Sequence, residues 1–267
     1  MRRVAVAQLM SSKNRDENLN ALELLFKQAS DEGAQLLVLP ENFACMGQHA
    51  FDPCALAETE GTGIIQQTLR HLSRQYHLWV VAGTIPLRAL HERVWASSLV
   101  FDAHGEQVAR YDKMHLFDVR LSDTETYQES KTFVAGKQPV VVDTPVGRLG
   151  LSVCYDVRFP ELYRELARQG AELFTVVAAF TATTGAAHWH ALLRARAIEN
   201  MSYMLASNQA GMHENGRETY GHSLIASPWG EVLSERKHGA GLIFSDIDLE
   251  HLHERRAAFP CLAHRTL

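Results

Sequence analysis

Short β-branched runs alternate with stretches of helical period along most of this chain, and no other feature narrows the fold as much. Val4-Ala5-Val6-Ala7-Gln8 reads as a strand and Asn18 to Ala29 as a helix, with Leu22, Leu25, Phe26 and Ala29 at i, i+3, i+4 and i+7. Gly33 closes that helix, and Leu36-Leu37-Val38-Leu39 is a second strand ending at Pro40. A helix over Ile64 to Tyr76 and a strand over Leu78 to Ala82 follow. Val94 to Phe101 and Gln107 to Tyr111 are strands joined by the turn signal Asp102-Ala103-His104-Gly105. Pro139 to Asp143 and Arg148 to Val153 form a further hairpin.

The pattern then repeats. Pro160 opens a helix to about Arg168, Glu172 to Ala178 is a strand, His188 to about Met201 a long helix, and Tyr203 to Ser207 a strand. The last third is mostly β, at Ser223 to Ala226, Glu231 to Ser234 and Leu242 to Ile247, before Asp248 caps a short helix. No linker, low-complexity tract or long repeat divides the chain. Crossover units mixed with hairpins predict an α/β fold with two sheets and helices outside, as one domain over 1–267 with an extended tail from about Ala257.

Composition limits the partners. With 46% hydrophobic residues in 267, the chain can bury a core without staples, and its net charge of −5 offers no basic excess for nucleic acid or an anionic membrane. A small molecule is the expected ligand. Met1-Arg2-Arg3 is basic, but the apolar stretch behind it is broken at Gln8 and ends in Ser11-Ser12-Lys13, so neither a secretory leader nor a membrane span is expected. Cys45, Cys54, Cys154 and Cys261 form no CxxC pair, which fits free thiols and a cytoplasmic location.

Three residues carry candidate chemistry. Cys154 sits where the apolar strand Leu149 to Val153 meets Tyr155-Asp156-Val157-Arg158-Phe159-Pro160 and a helix. A sharp strand-to-helix turn exposes a nucleophile and aims backbone N–H groups at it. A cysteine taken alone is more often plain core, but the polar cluster after Cys154 argues for function. Glu41 follows Leu36-Leu37-Val38-Leu39-Pro40, an acid at the carboxyl end of an apolar strand, where open α/β sheets bind ligands. Lys113 ends the strand segment Val108-Ala109-Arg110-Tyr111-Asp112. Alone, the first is a loop carboxylate and the second a surface charge.

Together they are specific. Leu39-Pro40-Glu41, Tyr111-Asp112-Lys113-Met114-His115-Leu116 and Val153-Cys154-Tyr155-Asp156-Val157-Arg158-Phe159-Pro160-Glu161-Leu162 resemble, in order, the three signature blocks of the nitrilase superfamily. The resemblance spans nearly the whole chain, with Met114 where Thr or Ile is more usual. It implies a four-layer αββα sandwich of the carbon–nitrogen hydrolase type and a Glu41-Lys113-Cys154 centre that cleaves amides through a cysteine acyl-enzyme. Glu129, in Tyr127-Gln128-Glu129-Ser130, matches a second glutamate that orients the lysine, and the Tyr155 N–H is the expected partner of Lys113 at the oxyanion. It also implies a homodimer in which the long helix packs on the second subunit, braced by Arg194 and Arg196.

Within the superfamily, Ala179 to Gly185, Ala187-His188-Trp189, Leu192 to Glu199, Tyr220-Gly221-His222-Ser223 and Pro228-Trp229-Gly230 look most like the branch that hydrolyses deaminated glutathione to 2-oxoglutarate and cysteinylglycine. Arg158 then becomes a clamp for the oxoglutaryl carboxylate, or else a salt-bridge partner of Glu161 or Glu165. Phe180 and Thr184 would wall the acyl pocket from the loop after the strand ending at Ala178. The alternatives are an ω-amidase acting on 2-oxoglutaramate, a nitrile or N-carbamoyl hydrolase, and a catalytically inactive scaffold.

Metal and cofactor are not expected. His188/His190 and His251/His253 are two apart, about 200° around a helix, so neither pair chelates there. The chain has no HExxH, GxSxG or phosphate loop.

Overall fold

The computed structural model describes residues 2–47, 52–123 and 125–266. The elements begin with Arg2–Gln8 (β1), Arg15–Asp31 (α1), Leu36–Val38 (β2), Asp52–Ala55 (α2), Ile64–Tyr76 (α3), Trp79–Arg88 (β3), Val94–Phe101 (β4) and Gln107–Asp112 (β5). Two short strands, Asp118–Arg120 (β6) and Thr126–Gln128 (β7), precede Val141–Thr144 (β8), Gly147–Val153 (β9), Pro160–Arg168 (α4), Leu173–Ala178 (β10), Ala182–Asn200 (α5) and Tyr203–Asn208 (β11). Ala210–Met212 (β12), Glu218–Tyr220 (β13), Ser223–Ala226 (β14), Val232–Arg236 (β15), Gly241–Ile247 (β16) and Leu249–Ala258 (α6) complete them.

Two six-stranded sheets form, in the orders β16-β1-β2-β3-β4-β5 and β8-β9-β10-β11-β14-β15. Read in these directions the two share one pattern of pairing: antiparallel, parallel, parallel, antiparallel, antiparallel. The parallel steps are the β-α-β units legible in the sequence, and β4–β5 and β8–β9 are its hairpins, whereas β1–β16 pairs strands far apart in the chain.

Alternation along each strand sets the layers. Val4, Val6, Leu36, Val38 and Val81 join Leu149, Leu151 and Val153 of the second sheet in one buried cluster. Their neighbours Ala5, Ala7, Leu37 and Val80 turn the other way, onto Leu22 and Phe26 of α1 and Leu69 of α3. Residues α4 and α5 contribute, among them Leu162, Leu166, Trp189 and Leu193, cover the other side of the second sheet. This is the four-layer αββα sandwich. Each fully buried Leu or Phe in it stabilises by about 1.5–3 kcal/mol, and strands covered on both faces read as apolar runs, Val4 to Ala7 within β1 and Leu36 to Val38 in β2.

Helix ends follow local chemistry. The Asn14 side chain accepts from the N–H groups of Asp16 and Glu17 to cap α1, and Asp248 accepts from the His251 N–H to cap α6. The long helix α5 starts six residues before the expected His188, because the Thr181 hydroxyl caps it and Ala182-Thr183-Thr184-Gly185 continues it. Gly185 is needed there: a Cβ would come within 2.3 Å of the Tyr220 ring. The tail is not extended from Ala257; α6 runs to Ala258 and a turn over 261–264 follows, with the Ala263 N–H donating to the Pro260 carbonyl.

Candidate active site

Glu41 stands just beyond β2, buried, on a segment that crosses very close to β3. Gly83 permits that approach, since a Cβ there would lie 1.8 Å from the Pro40 carbonyl oxygen. Lys113 follows β5, with its N–H donating to the Ala96 carbonyl and its carbonyl accepting from the Gly136 N–H. Its side chain is 1% exposed, and Nζ donates to Glu41 Oε1 at 3.0 Å and to Glu129 Oε1 at 2.8 Å. Glu129 begins a 3-10 turn over Glu129–Lys131, and its Oε2 accepts from the Phe117 N–H at 2.8 Å. Glu41 Oε2 in turn accepts from the Ala179 N–H at 2.9 Å, just past β10. Each ionised group is therefore held from two directions.

Cys154 leads a 3-10 turn, Cys154–Arg158, at the end of β9. Its φ of 48° lies in the left-handed region, which costs a side-chain-bearing residue roughly 1–2 kcal/mol. Such strain at a strand-to-turn elbow is the arrangement that presents a nucleophile. The leading N–H groups of such a turn, that of Tyr155 among them, have no acceptor within the turn.

The charges act on one another. Burial favours neutral Lys113, but Glu129 and Glu41 outweigh it and push the ammonium above its usual pKa. Burial also opposes charge on Glu41, yet Lys113 overcomes this and holds the carboxyl below the usual range. The Cys154 thiol is pushed well up by burial and by the Glu41 charge, with Lys113 opposing only in part. The resting centre is a carboxylate, an ammonium and a protonated thiol. A base, a cation and a nucleophile of that kind can perform acyl transfer.

Asp156, read only as part of the polar cluster after Cys154, locks the turn. Its buried carboxylate accepts from the Tyr111 hydroxyl (2.7 Å), the Val153 N–H (2.9 Å) and the His115 N–H (3.1 Å), and lies 2.7 Å from His115 Nδ1. One side chain thus ties the Lys113 segment to the Cys154 turn. No local pattern in the sequence announces such a long-range network.

The remaining expected residues form a second group. The Arg158 guanidinium lies over the rings of Phe180 (5.2 Å) and Tyr155 (5.8 Å), with Nη1 3.3 Å from His188 Nδ1. It makes no salt bridge with Glu161 or Glu165 among the described residues; Glu165 pairs with Arg168. Thr184 is not in a loop but in the first turn of α5, its hydroxyl 2.7 Å from that of Thr181.

A cavity of about 730 Å³ is lined by Asn42, Phe117, Tyr127, Glu129, Met212 and Arg217, among others. Glu41, Lys113 and Cys154 do not line it, but Glu129 belongs to both, so the cavity adjoins the buried centre. Arg217 was not anticipated, because one arginine in a polar turn looks like a surface charge.

Among the described residues, one group has metal-like spacing: His190, His222 and Glu235, with ligand atoms all within 4.8 Å. Glu235 Oε1 already lies 2.8 Å from His190 Nε2 and 2.6 Å from His222 Nδ1, at the edge strand β15. No helix among the described residues is long and apolar enough to cross a membrane.

Comparison with known proteins agrees with this geometry. Residues 3–257 match the family model for carbon–nitrogen hydrolases. Deaminated glutathione amidase from Yersinia enterocolitica is 42% identical over 264 residues, covering 98% of this chain and 92% of that protein. The crystal structure of the C. elegans NitFhit protein superposes with a TM-score of 0.91 at 35% identity, over 99% of this chain and 65% of that one. Saccharomyces cerevisiae Nit3, a member of branch 10 of the nitrilase superfamily, gives 0.87 at 30% identity, covering 97% of this chain and 94% of that one. With a thiol, a carboxylate and an ammonium gathered at strand ends of two matching sheets, and with likeness running the length of the chain, this protein belongs to the carbon–nitrogen hydrolase family, within the nitrilase superfamily.

Proposed function

We propose that this enzyme is an amidase that hydrolyses deaminated glutathione, N-(4-oxoglutaryl)-L-cysteinylglycine, to 2-oxoglutarate and cysteinylglycine. The reaction reading rests on one observation: Lys113 Nζ bridges Glu41 and Glu129 in a buried site where both Glu41 and Lys113 act on the Cys154 thiol. The substrate reading rests on relatives that carry this name at 36–42% identity, from bacteria to Homo sapiens.

The steps follow from the protonation states. Cys154 Sγ attacks the amide carbonyl while Glu41 takes the thiol proton. Charge then develops on the carbonyl oxygen, where Lys113 and the Tyr155 N–H stabilise it. Collapse breaks the C–N bond, and the departing amine takes its proton from Glu41 directly or through Lys113. Water, activated by Glu41, attacks the thioester carbonyl and frees 2-oxoglutarate, and the proton that Glu41 took returns to the thiolate. Glu129 keeps Lys113 aimed, while Arg158, Phe180 and Thr184 receive the oxoglutaryl half. No metal is needed, because the thiolate supplies the nucleophile.

Substrate choice tests this reading. Deaminated glutathione and 2-oxoglutaramate share the acyl half and differ in the leaving group, a dipeptide or ammonia. Binding energy from the dipeptide can position the scissile carbonyl. The expected result is a kcat/KM at least ~10-fold higher for the oxoglutaryl dipeptide, about 1.4 kcal/mol of added transition-state binding. Equal or reversed preference moves the enzyme to the ω-amidase class.

The reading includes a cytoplasmic homodimer. Free Cys45, Cys54 and Cys261 suit a reducing compartment. Ile198 on α5, Trp229 and Phe259 are about half exposed; a Cβ on Gly230 would touch Ile198, and the Trp229 and Phe259 rings are 6.0 Å apart, giving an apolar patch for a second copy. Sedimentation at micromolar concentration should report a dimer mass, and a monomer would remove this part of the proposal.

A further inference from the structure

Arg217 is the only cationic side chain among the described residues that line the 730 Å³ cavity beside the buried centre. It makes no ion pair among the described residues, although Glu125, Glu129 and Glu218 line the same cavity. Its Nη2 donates to the Ala179 carbonyl, and its guanidinium stacks 5.2 Å over the Tyr127 ring. Its Nε is buried with no hydrogen-bond partner. An orphaned buried donor costs roughly 1–3 kcal/mol, and native proteins keep few of them. A guanidinium that lines the cavity, stacked on one ring and tethered to the protein through Nη2, can present its remaining N–H groups to a planar anion.

Its position says which anion. Ala179, which holds Arg217 through its carbonyl, gives its N–H to Glu41, so one residue links Arg217 to the proposed base. Arg158 lies elsewhere, against Phe180 and Tyr155, and does not line the cavity. The two arginines therefore serve different ends of a substrate whose scissile bond lies at Cys154. Ammonia needs no large cavity, whereas a leaving dipeptide needs room and ends in a carboxylate about two residues, roughly 7 Å, past the scissile bond.

We propose that Arg217 binds the C-terminal carboxylate of the leaving dipeptide and is the residue that selects a peptide over ammonia as leaving group. This rests on the oxoglutaryl-dipeptide reading above. The test compares wild type with Arg217→Met, which keeps the apolar stem over Tyr127, and Arg217→Lys, which keeps the charge. Three amides are assayed: oxoglutaryl-cysteinylglycine, the same compound with a C-terminal carboxamide, and 2-oxoglutaramate. Wild type should lose ~10–100-fold in kcat/KM when the carboxylate becomes a carboxamide, the scale of a hydrogen bond to a charged group. Arg217→Met should hydrolyse those two at equal kcat/KM, its fall on 2-oxoglutaramate should be much smaller, and Arg217→Lys should recover part of the preference. An Arg217→Met enzyme that still prefers the free carboxylate, or that loses the same factor on all three amides, overturns the inference while leaving the substrate reading in place. A wild-type enzyme inert toward the oxoglutaryl dipeptide overturns both.

Discussion

Replacing Cys154 with alanine should leave a folded protein with no measurable amide hydrolysis. The side chain is small and buried within the inter-sheet cluster, so removing one sulfur leaves little empty space. The left-handed φ is imposed by the surrounding turn and costs alanine about what it costs cysteine. Melting temperature should therefore stay within a few degrees of wild type. Activity should fall on the order of 10⁶-fold, the scale reached when an acyl-transfer centre loses its nucleophile. Cys154→Ser should also be severely impaired, because a site that already pushes a thiol upward raises a hydroxyl beyond practical ionisation. Single-turnover assays of both variants provide the check. Turnover at the wild-type rate in the alanine variant would sink the acyl-enzyme mechanism, and a wild type inert on every amide tried would favour the inactive scaffold.

Glu41→Gln and Lys113→Met should each reduce kcat/KM by ~10²–10⁴-fold, the usual worth of general acid–base assistance. Glutamine keeps the shape and can still accept from the Ala179 N–H, but it cannot take the thiol proton. Methionine fills the lysine's space but leaves Glu41 buried, and Glu129 half-buried, without their shared cation, so it should also lower stability by roughly 3–5 kcal/mol in denaturant titration. The pH profile adds a sign. Glu41 works as a carboxylate, and Lys113 holds its pKa below the usual 4.5, so the acid limb of kcat/KM should lie below pH 4.5. The stability this depressed pKa contributes is present above the unfolded value and is lost as pH falls through the folded one. In Lys113→Met the acid limb should move upward. A variant retaining more than about a tenth of wild-type activity does not fit its role, given the same magnitudes.

The elements with strong periods and local end signals were legible in the sequence. The expected bounds of α3, β4 and α4 match the observed Ile64–Tyr76, Val94–Phe101 and Pro160–Arg168. The start of α5 was missed because two threonines and a glycine look like a loop, and only the Thr181 cap and the contact with Tyr220 make them helical. The hairpins β6–β7 and β12–β13 were missed because their three-residue strands are too short to alternate. The same divide runs through the site. Glu41, Lys113 and Cys154 stand at strand ends, where polar residues interrupt apolar runs. Asp156 and Arg217 draw their meaning from partners far away in the chain, and no short window contains both ends of such a contact.

Although the two sheets share one pairing pattern, the chain completes them at different times. Every strand of the second sheet lies within residues 141–236, so it can assemble from one continuous stretch. The first sheet cannot, because β1 pairs with β16 and sets Arg2 against Ile247. On the ribosome, β1 keeps an open edge until Gly241–Ile247 has been made, and an unpaired edge is a template for unwanted partners. Closing so long a loop late makes folding slow and keeps the first sheet dependent on β16. A chain ending before Gly241 would lack that strand and present β1 to its neighbours, so its expected fate is aggregation rather than a smaller working enzyme.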